Sequence, residues 1–286
     1  MRLKLRISLL VLCFGAAAST PATAAVFASA QLSNFTLTLI DLNPSDGVAP
    51  SASLFDANSF SRIINSVLFN GLASDSRDVR GLSAFGALST NVAVPTLSSL
   101  AQVIGGSGAA PSESALLHAE GRLANIPGNG EAGALRTFTA SASGIETQPI
   151  SAYFLLGPYT AITMTALAEV AVSKDFAAPV GSFVGEAVIG QAGITLTKGN
   201  STNGQSVQQR LALTDIGQVL TRSFTVTAEI YNLTANAVAV DFRAVAGVDG
   251  ISQIAAVPEP ETWALWAAGL AVLGALYRRR ALSRPV

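Results

Sequence analysis

The sequence predicts a mainly β, sandwich-like domain, flanked by a short leader and a short apolar tail. Three observations predict it. Several runs alternate apolar and polar residues, the period of a half-buried strand. Gly, Ser and Thr recur throughout while strong helix formers do not dominate. Trimming both ends of the 286 residues leaves roughly 230, enough for one large β domain or two small ones.

In chain order, Phe35 to Leu39 (FTLTL) is the clearest alternating strand, ended by a turn at Asp41-Leu42-Asn43-Pro44-Ser45-Asp46-Gly47. Ser59 to Leu72 reads as a helix, with Ile63, Ile64, Val67 and Leu68 at suitable spacing. Ser112 to Ala124 reads as a second helix capped by Ser112, with Gly121 a poor helical residue inside it. Gly105 to Ser114, Pro127 to Gly133 and Lys198 to Gly204 read as loops. Strands are expected at Thr137 to Ser143, within a strand-like Leu135 to Ser143, and at Ala161 to Val172. Gly157-Pro158 marks a turn between apolar runs. Ser223 to Tyr231 and Ala237 to Val245 read as neighbouring strands, with Asn232 to Asn236 short enough for a hairpin. There is no convincing repeat, and nothing marks a second domain.

Met1 to Ala24 has the three parts of a secretory signal peptide. Arg2, Lys4 and Arg6 precede an apolar run from Ile7 to Ala18, and Ala22-Thr23-Ala24 supplies the small residues a signal peptidase requires. That run is about 18 Å long as a helix, too short to span a bilayer comfortably. The exported body is therefore residues 25–256, and the tail is residues 257–286.

The tail reads Val257-Pro258-Glu259-Pro260-Glu261, then uncharged Thr262 to Tyr277, then Arg278-Arg279-Arg280. As a helix the uncharged stretch is about 24 Å long, slightly short of a hydrocarbon core of about 30 Å, and is expected to form a single transmembrane helix. Trp263, Trp266 and Tyr277 lie toward its ends, where amphipathic rings favour the interface. Arginines are costly to translocate, so the cluster is expected to stay cytoplasmic and leave the body outside. Pro258 and Pro260 have fixed φ and lack amide hydrogens, so this stretch stays extended, in a form a processing enzyme can grip.

Charge and composition exclude several functions. Without its ends the chain keeps 10 basic and 16 acidic residues, a net charge of −6, with no basic patch for nucleic acid. The only cysteine, Cys13, falls in the leader, so the body has no disulfide, thiol nucleophile or thiolate metal site. His118 is the only histidine, and no G-x-S-x-G elbow accompanies it, so it reads as a solvated residue of a loop or helix. Gly128 to Gly133 fits G-x-G-x-x-G spacing, but Pro127 precedes it and a strand follows, so it reads as a turn rather than a dinucleotide site. Asp41, Asn43 and Asp46 are the one candidate ion site, although Gly47 comes seventh and no late Glu completes a calcium loop. Tyr153, Tyr159 and Tyr231 are the body's only tyrosines and it has no tryptophan, which counts against a sugar platform or glycosidase. Asn34, Asn200 and Asn232 begin N-x-S/T triplets. No cofactor is expected.

Pro258-Glu259-Pro260 before a short apolar segment and a closing arginine cluster resembles the PEP-CTERM sorting signal of Gram-negative bacteria. The resemblance covers the tail together with an export signal, roughly a fifth of the chain, and implies nothing specific about the body's fold. It implies that an exosortase recognises Pro258, Glu259 and Pro260, removes the tail, and releases or transfers the protein outside the cell. On this reading the body is a structural or interaction protein of the cell surface or extracellular matrix, associated with exopolysaccharide. A carbohydrate-binding or adhesin module is the alternative, and an exported hydrolase is a third class.

Overall fold

The computed structural model describes residues 26–54, 59–69, 72–94, 96–105, 112–123, 135–147, 154–174, 186–198, 206–213 and 218–253, with 266, 268–271 and 273 of the tail. The strands are β1 (Val26–Asp41), β2 (Ala52–Leu54), β3 (Ser59–Phe69), β4 (Leu72–Arg80), β5 (Leu88–Val94), β6 (Leu97–Ile104) and β7 (Leu116–Leu123). They continue with β8 (Leu135–Thr147), β9 (Phe154–Leu156), β10 (Thr160–Lys174), β11 (Glu186–Lys198), β12 (Ser206–Leu213), β13 (Gln218–Tyr231) and β14 (Val238–Gln253).

The chain is mainly β and forms two antiparallel sheets. One has the order β13-β10-β1-β7-β6-β5, the other β12-β11-β14-β8-β3-β4, with β9 joining β14 to β2. Their inner faces share one apolar cluster, which includes Leu32, Phe35, Leu117 and Val170 from the first sheet and Ile63, Phe138, Phe242 and Val248 from the second. Two layers on one core follow directly from period-2 burial.

β1 shows how sequence sets the faces. Val26, Ala28, Ala30 and Leu32 point inward, then Asn34 adopts a left-handed φ of 53° and pairing with β10 shifts between Ser33 and Thr36. The extra residue reverses the phase, so odd-numbered Phe35 becomes buried instead. Asn tolerates this backbone better than most residues.

Both expected helices are strands. Ser59 to Phe69 is β3, and Leu72 already belongs to β4. The inward residues of β3 are Ser59, Ser61, Ile63, Asn65 and Val67. Polar side chains at three of these five positions hide the alternation and leave only the helix-like spacing of its aliphatics. Asn65 is buried because its Nδ2 crosses between the sheets, donating to the carbonyls of Thr90 (2.6 Å) and Ser99 (3.2 Å). In the second region Ser112 begins a turn closed by Ala115 N donating to Ser112 O, and Leu116–Leu123 is β7. Gly121 faces the Phe138 ring of the opposite sheet, a place where a side chain does not fit.

The expected hairpin is also corrected. β13 pairs with β10 and β14 pairs with β11 and β8, so the two consecutive strands lie in different sheets. Residues 232–237 form an arch from one layer to the other, built on Asn232. Its Nδ2 donates to the carbonyls of Gly157 (2.7 Å), Asn236 (2.8 Å) and Leu156 (3.3 Å), and its Oδ1 accepts from Thr234 N and Oγ1. The Gly157-Pro158 turn is a second arch, leading from β9 to β10.

The remaining expected strands fall inside β1, β8, β10, β13 and β14, except that Ala237 belongs to the arch and β14 begins at Val238. Met1 to Ala25, the Gly128 to Gly133 turn, the Pro127 to Gly133 loop and most of the Lys198 to Gly204 loop lie outside the described residues.

Candidate functional site

In the tail, Trp266, residues 268–271 and Leu273 are helical. Their large apolar side chains are exposed, with Trp266 at 68%, Leu270 at 63% and Leu273 at 64%. A Cβ at Gly269 would meet nothing within 4 Å. An uncovered apolar helical surface suits a surrounding that supplies the apolar contact, such as lipid or another protein. Among the described residues no helix is long and apolar enough to cross a membrane. Ala22, Ala24, Val257, Pro258, Glu259, Pro260, Arg278, Arg279 and Arg280 lie outside the described residues.

The Asp41 turn is held by its own side chains. Asp41 Oδ1 accepts from Asn43 N (2.8 Å), Asp46 Oδ1 accepts from Val48 N (2.7 Å), and Asn43 Oδ1 accepts from Ser45 Oγ (2.7 Å). These are local turn bonds that satisfy the backbone where β1 stops. Gly47, at φ 73°, completes the bend. Among the described residues no group of three His, Cys, Asp or Glu side chains could hold a metal ion.

His118 is in neither a loop nor a helix. It lies on the outer face of β7, opposite Gln31 and Gln102 on the flanking strands. Its side chain is half-buried, with Nε2 3.6 Å from Glu120 Oε2. Glu120 is shared with Arg122, whose Nε donates to it at 2.8 Å. Other outer-face carboxylates are similarly engaged. Glu169 accepts from Gln31 (3.4 Å), and Glu229 accepts from Thr163 (3.1 Å) and from the Tyr231 hydroxyl. That last bond, aided by the Glu229 charge, raises the Tyr231 pKa above its ordinary value.

Tyr159 sits half-buried in the β9–β10 arch with a left-handed φ of 45°, its N–H donating to Thr234 O (3.1 Å). Its backbone is thus part of the turn between β9 and β10. Tyr153 lies outside the described residues, as does Asn200. Of the other two N-x-S/T triplets, Asn34 is exposed on its bulge while Asn232 is fully buried in its arch. The sequence carries no signal for that distinction, because it depends on partners 75 and 76 residues away.

The model of the PEP-CTERM protein-sorting motif matches residues 256–281. No curated protein and no solved structure matches the chain. The match spans the Pro-Glu-Pro stretch, the apolar segment and the arginines, which implies export and processing by an exosortase. The chain therefore carries, at residues 256–281 of its C-terminal tail, a PEP-CTERM protein-sorting motif.

Proposed function

We propose that the chain is a non-enzymatic structural or interaction component of the cell surface or extracellular matrix, associated with exopolysaccharide. The observation that carries this reading is the sorting motif at residues 256–281, placed after a body of two β-sheets.

The proposed sequence of events uses both ends. A signal peptidase cuts after Ala24 or Ala25 and the body crosses the inner membrane. Thr262 to Tyr277 then holds the chain in the bilayer as a transmembrane helix, with Arg278, Arg279 and Arg280 retained on the cytoplasmic side. An exosortase engages the extended Val257-Pro258-Glu259-Pro260 segment and separates body from tail.

The body's chemistry supports a passive role. Its outer strand faces carry many Ser, Thr and Gln residues, and its lone histidine shares a carboxylate already engaged by Arg122. Apolar alternation on a long two-layer core supplies a durable module without disulfides.

The test is replacement of Pro258, Glu259 and Pro260 by Ala in the native cells. The variant should accumulate as an uncut chain in the membrane fraction, as should the unaltered chain in cells lacking the exosortase. Normal processing of both would refute the sorting reading. Loss of the processed body from the matrix when exopolysaccharide synthesis is blocked would support the matrix assignment, and unchanged retention would refute it.

A further inference from the structure

The strands at the sheet edges are unequal. β4, an edge of the second sheet, carries Asp75, Arg77, Asp78 and Arg80, charges that discourage pairing with another chain. β5 and β12 are short, with 7 and 8 residues. β13 is different. It runs for 14 residues without a proline and bonds to β10 along its whole length. Among the described residues no strand bonds to its other side. Such an edge is a template for adding a strand.

Apolar exposure along β13 is concentrated at its two ends. Val219 is 70% exposed and Tyr231 44%, both on the outer face. Leu220 points inward yet is 36% exposed, while Ile230, also inward, is 5% exposed at the far end of the strand. Val219 and Tyr231 are centred on Thr225, and so are Leu220 and Ile230. In an antiparallel pair related by a two-fold axis, opposing residues lie on the same face. An axis at Thr225 therefore sets Val219 against Tyr231 and Leu220 against Ile230, twice each. The same register sets Phe224 against Val226, Ser223 against Thr227 and Thr221 against Glu229. Arg222 meets Ala228, so no two like charges are opposed.

We propose that β13 pairs antiparallel with β13 of a second copy of this chain, about a two-fold axis through Thr225. The six-stranded sheets of the two copies then form one continuous sheet, and the exposed apolar ends of each β13 cover one another. The pairing uses an edge that no other strand occupies among the described residues, with Lys198 Nζ donating to Tyr231 O (3.2 Å) at its end.

The test uses the full chain in detergent with Cys13→Ala, which removes its only cysteine. Light scattering should give a dimer. Under mild oxidation Thr225→Cys should form a disulfide-linked dimer, because its two copies face one another within the Cα separation a disulfide spans. Ser223→Cys should not, since its opposing residue is Thr227. Thr225→Lys places two ammonium groups together and should weaken dimerisation at least about tenfold. Monomer at every concentration, cross-linking of Ser223→Cys as fast as Thr225→Cys, or a folded Thr225→Lys dimer of unchanged affinity would overturn the proposal. The cross-link reads the register even if the lysine variant folds poorly, and it separates this contact from any pairing through the tail.

Discussion

The ring of Phe138, on β8 of one sheet, occupies the space that a Cβ on Gly121, on β7 of the other, would need. The same ring also fills the place of a Cβ on Gly250, its cross-strand partner on β14. One phenyl group thus closes the core between two glycines, and the spacing between layers depends on both.

Gly121→Ala should therefore destabilise the body by about 1–3 kcal/mol, the usual cost of overpacking a well-filled core. Denaturant unfolding measures this. Adding Phe138→Leu to Gly121→Ala should recover part of the loss, a non-additivity expected only if the two side chains compete for one space. Simple addition of the two losses would contradict the packing described.

Asn232 should behave as a structural residue despite beginning an N-x-T triplet. Expressed in a host that glycosylates such triplets, Asn232 should carry no glycan in the folded protein, by peptide mass. Asn232→Ala should cost about 2–3 kcal/mol, because three carbonyls lose a donor at a buried corner. A glycan on Asn232, or a fully stable alanine variant, would contradict the arch.

Arg62 grips Asp78 through Nε and one terminal nitrogen, both at 2.8 Å. These hydrogen bonds outweigh the opposing effect of burial and, with the lesser pull of the Arg62 and Arg80 charges, hold the Asp78 carboxyl below its ordinary value of 3.8. Because the folded value is depressed, the pair stabilises above the ordinary value, and that gain is lost as pH falls through the folded value. The Asp78 side chain is 47% exposed, so solvent screening limits the gain to about 0.5 kcal/mol. Asp78→Asn should lower neutral-pH stability by no more than that. The difference should shrink in strong acid and in high salt.

The strands legible in the sequence were those whose inward positions are apolar, such as Phe35 to Leu39 and Ala161 to Val172. β3 was misread because Ser59, Ser61 and Asn65 occupy inward positions, where Ser61 Oγ donates to Gly86 O and Asn65 Nδ2 to the carbonyls of Thr90 and Ser99. β7 was misread because Gly121 looks like a flaw in a helix until the Phe138 ring is known to face it. The hairpin failed for a related reason: a short connection suits a hairpin or an arch, and the choice rests on Asn232's distant carbonyls. The sorting motif needed none of this. Its Pro-Glu-Pro, apolar run and arginines are contiguous and act through local chemistry, so they were readable directly. The edge position of β13, which no other strand pairs among the described residues, was not, because which strand ends a sheet is a property of topology.

The central claim is delivery and processing at both ends. The most direct measurement is the intact mass of the mature protein purified from its native cells and medium. The account predicts a chain that begins near Ala25 and ends within Pro258 to Glu261. A mass that still includes Arg278 to Val286 would contradict it and make the tail a permanent anchor.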